Sequence, residues 1–243
     1  MVMKNQTEGD RREFIRWAAV VAPTLVFSSC AATHPAGSEQ KSSSIESKPE
    51  EVSPAEDLMR EHGVLDRVLL IYEEGLRRLN SKLDLDPVVL ASSAGMVRRF
   101  IEDYHEKLEE NHLFPRFEKA GKLVELVAVL RQQHQAGRRL TDEIQHFATL
   151  AALKNPSERV NLEGALTQFI RMYRPHAARE DTALFPALHS IVSAHEYDSM
   201  GEQFEDEEHK LFGADGFEKI VDEVGGLEKK FGIENLAQFT PTP

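Results

Sequence analysis

The chain has 243 residues, 41% of them hydrophobic, with a net charge of −12 and a single cysteine. That is enough apolar material for one large domain or two small ones. The acidic balance argues against a nucleic-acid partner, because phosphate recognition needs a basic face, and one cysteine excludes an intramolecular disulfide and a cysteine-rich metal site.

Residues 1–30 read as an export signal. Arg11-Arg12-Glu13-Phe14-Ile15-Arg16 precede an apolar run from Trp17 to Phe27, and Ser28-Ser29-Cys30 follow. A charged start, a short apolar run and small residues after it fit a signal peptide. The run is too short to cross a bilayer as a helix, and Pro23 interrupts it. The paired arginines ahead of Phe14 resemble a twin-arginine signal, with Asp10 departing from the usual Ser or Thr. That resemblance implies export of a protein already folded. Ser28-Ser29-Cys30-Ala31 resembles a lipoprotein processing site, with Phe27 where Leu is usual. It implies a lipid anchor on Cys30, a membrane partner, and a periplasmic or cell-envelope location. The alternative is ordinary cleavage nearby, with Cys30 discarded. Residues 31–52 are rich in Ser, Glu, Lys and Pro without apolar periodicity, and read as a flexible linker in which His34 is solvated.

From residue 53 the pattern is helical throughout. Ser53-Pro54-Ala55-Glu56 is a capping box with Pro at the first helical position. It opens a helix to about Asn80, with Leu58, Val64, Leu65, Val68, Leu69, Tyr72 and Leu76 as its apolar stripe. Asp86-Pro87 opens a second helix to about Lys119, and Gly121 breaks it. A third is expected from about Lys122 to Leu153, and a fourth from Asn155-Pro156-Ser157 to about Ser193. One or two shorter helices follow, interrupted by Gly213, Gly216 and Gly225-Gly226. Short connections make neighbours antiparallel. The fold class is therefore all-α: an up-down-up-down four-helix bundle over 53–195 with a C-terminal helical extension and tail over 196–243.

The strongest feature is an internal repeat. His105 to Pro115 and His176 to Pro186 both read H-x-x-x-E-(acid)-x-x-L-F-P, offset by 71 residues. Each follows a lone helix histidine at nearly the same distance: His62 lies 43 residues before His105, and His134 lies 42 before His176. Two helix pairs of one design thus follow each other in sequence. Residues four apart share a helix face, so His105 points with Glu109 and His176 with Glu180. His62 and His134 lie near helix starts, while His105 and His176 lie nearer helix ends, so in an alternating bundle the six groups converge at one level. Imidazole with carboxylate in a helical core suits iron, manganese or zinc.

On these residues the chain resembles the hemerythrin-like HHE cation-binding family over about 53–195. The resemblance implies a non-haem di-iron centre: two iron ions with His62, His105, His134 and His176 as terminal ligands and Glu109 and Glu180 as bridges. Two departures bear on function. Oxygen carriers of the family have a further histidine four residues after the one on the third helix, where this chain has Arg138. They also bridge with an Asp one residue beyond the position of Glu180. Both weaken a pure oxygen-carrier reading. Glu106, opposite Ala177 in the repeat, and His112, opposite Ala183, are candidates to make the metals unequal, against the plainer expectation of a solvated Glu106 and a polar core His112. The Phe-Pro pairs are expected to kink their helices and wall the metal from water. Tyr104 and Tyr173 are candidate donors behind the ligands, or plain core. His146, His189, His195 and His209 are expected at the surface.

The centre implied by the resemblance binds dioxygen or nitric oxide for storage, delivery or sensing. The alternative is a di-iron enzyme that reduces nitric oxide or decomposes peroxide. A third reading is a helical envelope lipoprotein with a vestigial site.

Overall fold

The structure, a computed structural model of the chain, describes residues 52–241. The export signal, Cys30 and His34 lie outside the described residues, as does nearly all of the expected linker. The described residues are helical, with no strand among them.

The first helix, α1 (Pro54–Ser81), starts where the capping box placed it: the Ser53 hydroxyl accepts the Glu56 N–H at 3.2 Å. It ends at Lys82 in the left-handed region. The second, α2, is a continuous rod over 87–120. Asp86 caps it by accepting the Val88 N–H at 3.0 Å, and Gly121 closes it with φ 64°. There Gly121 N–H donates to Glu118 and Lys122 N–H to Phe117, the paired bonds that a left-handed glycine allows. The third helix, α3 (Val124–Phe147), stops short of the expected Leu153. Thr149 turns extended and its hydroxyl accepts the Ala152 N–H, starting a separate short helix, α4 (Leu150–Lys154). A side chain that satisfies backbone donors locally competes with continuation of the helix.

The fourth long helix, α5, spans 156–188, capped by Asn155. It too ends before its expected limit of Ser193, because that serine begins the next helix by accepting the Glu196 N–H. This is α6 (Ala194–Phe212), and α7 (Gly216–Phe231) follows. Gly225-Gly226 do not interrupt α7 as expected. A Cβ on Gly225 would lie 3.2 Å from Arg67 Nη2. Its bareness admits the guanidinium, which donates to both oxygens of Glu228 at 2.9 and 2.6 Å.

The four long helices pack in a closed ring: α1 on α2, α2 on α3, α3 on α5, and α5 on α1. Their shared core includes Leu58, Leu65, Tyr72, Phe100, Leu166 and Phe169, all essentially inaccessible. Each such side chain contributes about 1.5–3 kcal/mol by leaving water. The C-terminal helices lie on α1 and α2, with Phe212 edge-on to Phe100 and Tyr104 and Arg78 donating to the Phe231 carbonyl. No helix among the described residues is long and apolar enough to cross a membrane.

Candidate metal centre

The six sequence-expected ligands come together inside the ring, each at most 3% exposed. Glu180 Oε2 lies 3.0 Å from His176 Nε2 and 3.4 Å from His62 Nε2. Glu109 Oε2 lies 3.4 Å from His134 Nε2 and 3.8 Å from His105 Nε2. Each carboxylate thus stands between one histidine of each helix pair. The histidines also pair among themselves, with ring centroids 4.6 Å apart for His62 and His105 and 5.0 Å for His134 and His176.

Backbone geometry explains how the repeat achieves this. Glu109–Leu113 and Glu180–Leu184 both wind as a wide π turn immediately before the Phe-Pro pair. Pro115 and Pro186 have no N–H to offer the preceding turn. In its place Phe114 N–H reaches Glu109 O, and Phe185 N–H reaches Glu180 O, one residue further back than in an α-helix. The two aromatics that follow are fully buried and stack on imidazoles of the opposite helix pair, Phe114 on His134 and Phe185 on His62.

Behind the ligands runs a further set of partners that also obeys the repeat. His62 Nδ1–H donates to Asp181 Oδ1 at 2.7 Å, and His134 Nδ1–H to Glu110 Oε1 at 3.1 Å. His105 Nδ1–H donates to Glu61 Oε2 at 2.7 Å, and His176 Nδ1–H to Gln133 Oε1 at 2.9 Å. These oxygens accept, so every Nδ1 carries a proton and every Nε2 faces the centre. Sequence reasoning assigned no role to these four residues. The signal was present: Glu61 and Gln133 each immediately precede the lone histidine, and Glu110 and Asp181 fill the acid position of the motif.

The donor set fits a cation. His62 Nε2 and His105 Nε2 are 3.0 Å apart, an arrangement of two lone pairs that is repulsive unless a proton or cation lies between them. Both oxygens of Glu109 and of Glu180, and Nε2 of His134, are buried without a well-formed hydrogen bond. Leaving carboxylates so placed without a counter-ion costs several kcal/mol each. Two atoms bound about 2.1 Å from one ion lie about 3.0–3.4 Å apart at ordinary coordination angles, close to the separations found. One atom each from His134, His176 and Glu180 lie within 4.8 Å of one another.

Electrostatics tell the same story. Burial, then the charges of Glu180 and Glu106, push the Glu109 carboxyl well above its usual range. Burial pushes Glu180 up too, but His176 and His62 outweigh it and hold that carboxyl low. For His62, burial is outweighed by the bond to Asp181 and by the nearby Glu180 carboxylate, which raise it to about 9. Burial and then the charge of His62 drive His105 well below its ordinary value. Protons thus compensate charge that a bound cation would otherwise balance.

One expectation is corrected. Glu106 is buried, not solvated: its Oε1 accepts from Tyr173 at 2.7 Å, and its Oε2 lies 2.7 Å from Arg138 Nη2. Burial pushes its carboxyl up to about 8, against the pull of Arg138 and the Tyr173 hydroxyl. Arg138 therefore does not face the centre in place of the absent histidine. It also grips Glu110 at 2.8 Å, on the Nδ1 side of His134. Gly137 makes room, since a Cβ there would meet the Tyr173 hydroxyl at 1.9 Å. His112 is partly buried against Phe204, 3.3 Å from Glu207, and turned toward α6. Tyr104 packs on Phe100 and Phe212, with Glu61 near its hydroxyl. His146, His189, His195 and His209 are exposed.

A helical domain with buried histidine–glutamate clusters defines a cation-binding class, and comparison with known proteins agrees. Residues 53–188 match the family described as the hemerythrin HHE cation binding domain, and the chain belongs to it. The chain is also 46% identical, over 232 residues, to proteins of Mycobacterium tuberculosis and Mycobacterium bovis described as uncharacterized. The match covers 96% of this chain and 91% of theirs. No solved structure matches. The family match ends where α5 ends, so α6 and α7 lie beyond it.

Proposed function

We propose that this chain is a non-haem di-iron protein that binds dioxygen or nitric oxide in the cell envelope. His62 and His105 would hold one iron, His134 and His176 the second, and Glu109 and Glu180 would be shared by both. The observation that carries this is the inward convergence of imidazole Nε2 atoms, two of them 3.0 Å apart, on glutamates whose oxygens have no well-formed hydrogen bond. When bound, the iron pair supplies electrons and coordination positions for a diatomic gas.

The residues of the chain do the rest. Asp181, Glu61, Glu110 and Gln133 hold each imidazole in the tautomer that presents Nε2. Phe114 and Phe185 exclude water from two of the imidazoles. Burial of all six ligands favours small ligands over bulky substrates. An up-down-up-down order of α1, α2, α3 and α5 belongs to this reading and is supported by the common level of the ligands. Export and tethering through Cys30 are proposed on the sequence alone.

The test is iron counting after anaerobic purification, followed by absorbance titration with oxygen and with nitric oxide. About two irons per chain and a saturable adduct are expected. A chain that takes up no iron overturns the reading. Sustained consumption of nitric oxide or peroxide with a reductant transfers it to catalysis.

A further inference from the structure

The four partners behind the imidazoles follow the repeat, but their charges do not. Around His62 and His105 the polar neighbours are acidic. Asp181 and Glu61 accept from the two rings. Asp57 and Glu208 place carboxylate oxygens within 4.8 Å of one on Glu61. Asp66 lies within electrostatic reach of His62 and Asp181. Two arginines reach this side from its edge: Arg60 pairs with Asp57 at 3.8 Å, and Arg174, paired with Glu73, lies within electrostatic reach of Asp66.

Around His134 and His176 the balance is neutral. Gln133 replaces a carboxylate with an amide. Glu110 is gripped by Lys107 at 2.5 Å and by Arg138 at 2.8 Å, and Arg138 also pairs with Glu106. Arg138 lies four residues after its lone histidine, and at the matching position after His62 the chain has Asp66. The contrast is therefore carried by aligned residues of opposite charge.

We infer that the two metal positions are unequal: the position between His62 and His105 holds its iron more tightly than the position between His134 and His176. This rests on the di-iron reading. A carboxylate behind an imidazole raises the basicity of the ligand, and partners of this kind change metal affinity by about tenfold to a hundredfold. The Asp181 and Glu61 carboxylates that hold the two rings also add a direct attraction for a divalent ion.

The test uses the full chain saturated with ferrous iron without oxygen, then titrated with a chelator while iron is counted. Iron is expected to leave in two steps. Asp181→Asn is expected to weaken the tighter step by about tenfold. Gln133→Glu is expected to strengthen only the looser step, drawing the two together. Release of both irons in one step, or variants that shift the opposite step or neither, overturns the inference and leaves the di-iron reading standing. Fewer than two irons at saturation overturns both.

Discussion

His105 to Pro115 and His176 to Pro186 build the same inner geometry from different surroundings. Each supplies a histidine and a glutamate one turn apart, a wide turn before its proline, and a phenylalanine stacked on an imidazole of the other helix pair. Outside that shared device the copies part. On α2 the positions flanking the motif histidine carry Glu102 and Glu106, both buried. The matching positions on α5 carry Tyr173 and Ala177. The first copy thus backs onto a polar network of Arg98, Glu102, Thr141, Arg138 and Glu106, and the second contributes only the Tyr173 hydroxyl to it. Spacing and backbone shape are what the repeat needs in order to place ligands, and the layer behind is free to diverge in charge.

The largest expected effect tests the part that is shared. Glu109→Ala and Glu180→Ala each remove a carboxylate that stands between one histidine of each pair. Both should lower iron affinity by about tenfold or more at both positions, read by metal analysis after dialysis. If one variant kept both irons while the other lost them, the equivalence of the copies would fail. Next come the aromatics. Phe114→Ala and Phe185→Ala each leave a cavity against an imidazole and should cost about 3–5 kcal/mol in denaturant unfolding. A difference of more than about 1–2 kcal/mol between them would show that one cover packs better than its symmetry mate.

These shared features are the ones that the sequence made legible. Four histidines and two glutamates could be placed because helix spacing converts directly into a common face and a common depth. Caps at Ser53, Asp86 and Asn155 and the break at Gly121 follow from local backbone chemistry and appear where expected. The layer behind the ligands was not legible for a physical reason. Whether Glu106 is solvated or buried depends on Arg138 and Tyr173, which reach it from other helices, 32 and 67 residues away in sequence. Thr149 and Ser193 went unread as helix starts for a different reason: a periodic apolar pattern runs across them, and a hydroxyl able to cap is also tolerated within a helix. Gly225-Gly226 misled similarly, since glycine marks a break only when nothing needs its missing side chain.

A third expectation addresses the layer that differs. Arg138→Met removes the cation beside buried Glu106 while keeping the length of the side chain. Breaking a fully buried pair costs about 3–5 kcal/mol, but the Arg138 side chain is 22% exposed. About 1–3 kcal/mol is therefore expected by thermal or denaturant unfolding. The matching change on the other pair, Asp66→Asn, lies at an exposed position and should fall within about 0.5 kcal/mol of wild type. Equal effects would mean that the charge contrast has no bearing on the fold.

The smallest effect is a pH dependence confined to the first copy. Burial pushes Glu102 up to about 7, with Thr141 and Arg98 pulling the other way. Its carboxyl is thus protonated more readily in the folded chain than in the unfolded one, where it titrates near 4.5. The stability this confers is complete below about 4.5 and is lost as pH rises through 7. Glu102→Gln mimics the protonated form across that window, so it should match wild type near pH 4.5 and exceed it near pH 8. Full relief of the shift would be larger, but glutamine also gives up the ion pair with Arg98 at 2.6 Å. A gain on the order of 1 kcal/mol is expected at the alkaline end. The matching residue on α5, Tyr173, is driven upward by burial and has no titration in this window. Its own hydroxyl does not ionise there, so Tyr173→Phe should act on pH dependence only through the Glu106 carboxyl it bonds, and mainly near pH 8. If the Glu102 variant shifted stability equally at both pH values, the buried Glu102 carboxyl would be ionised throughout, and the contrast between the copies would lie in contacts alone.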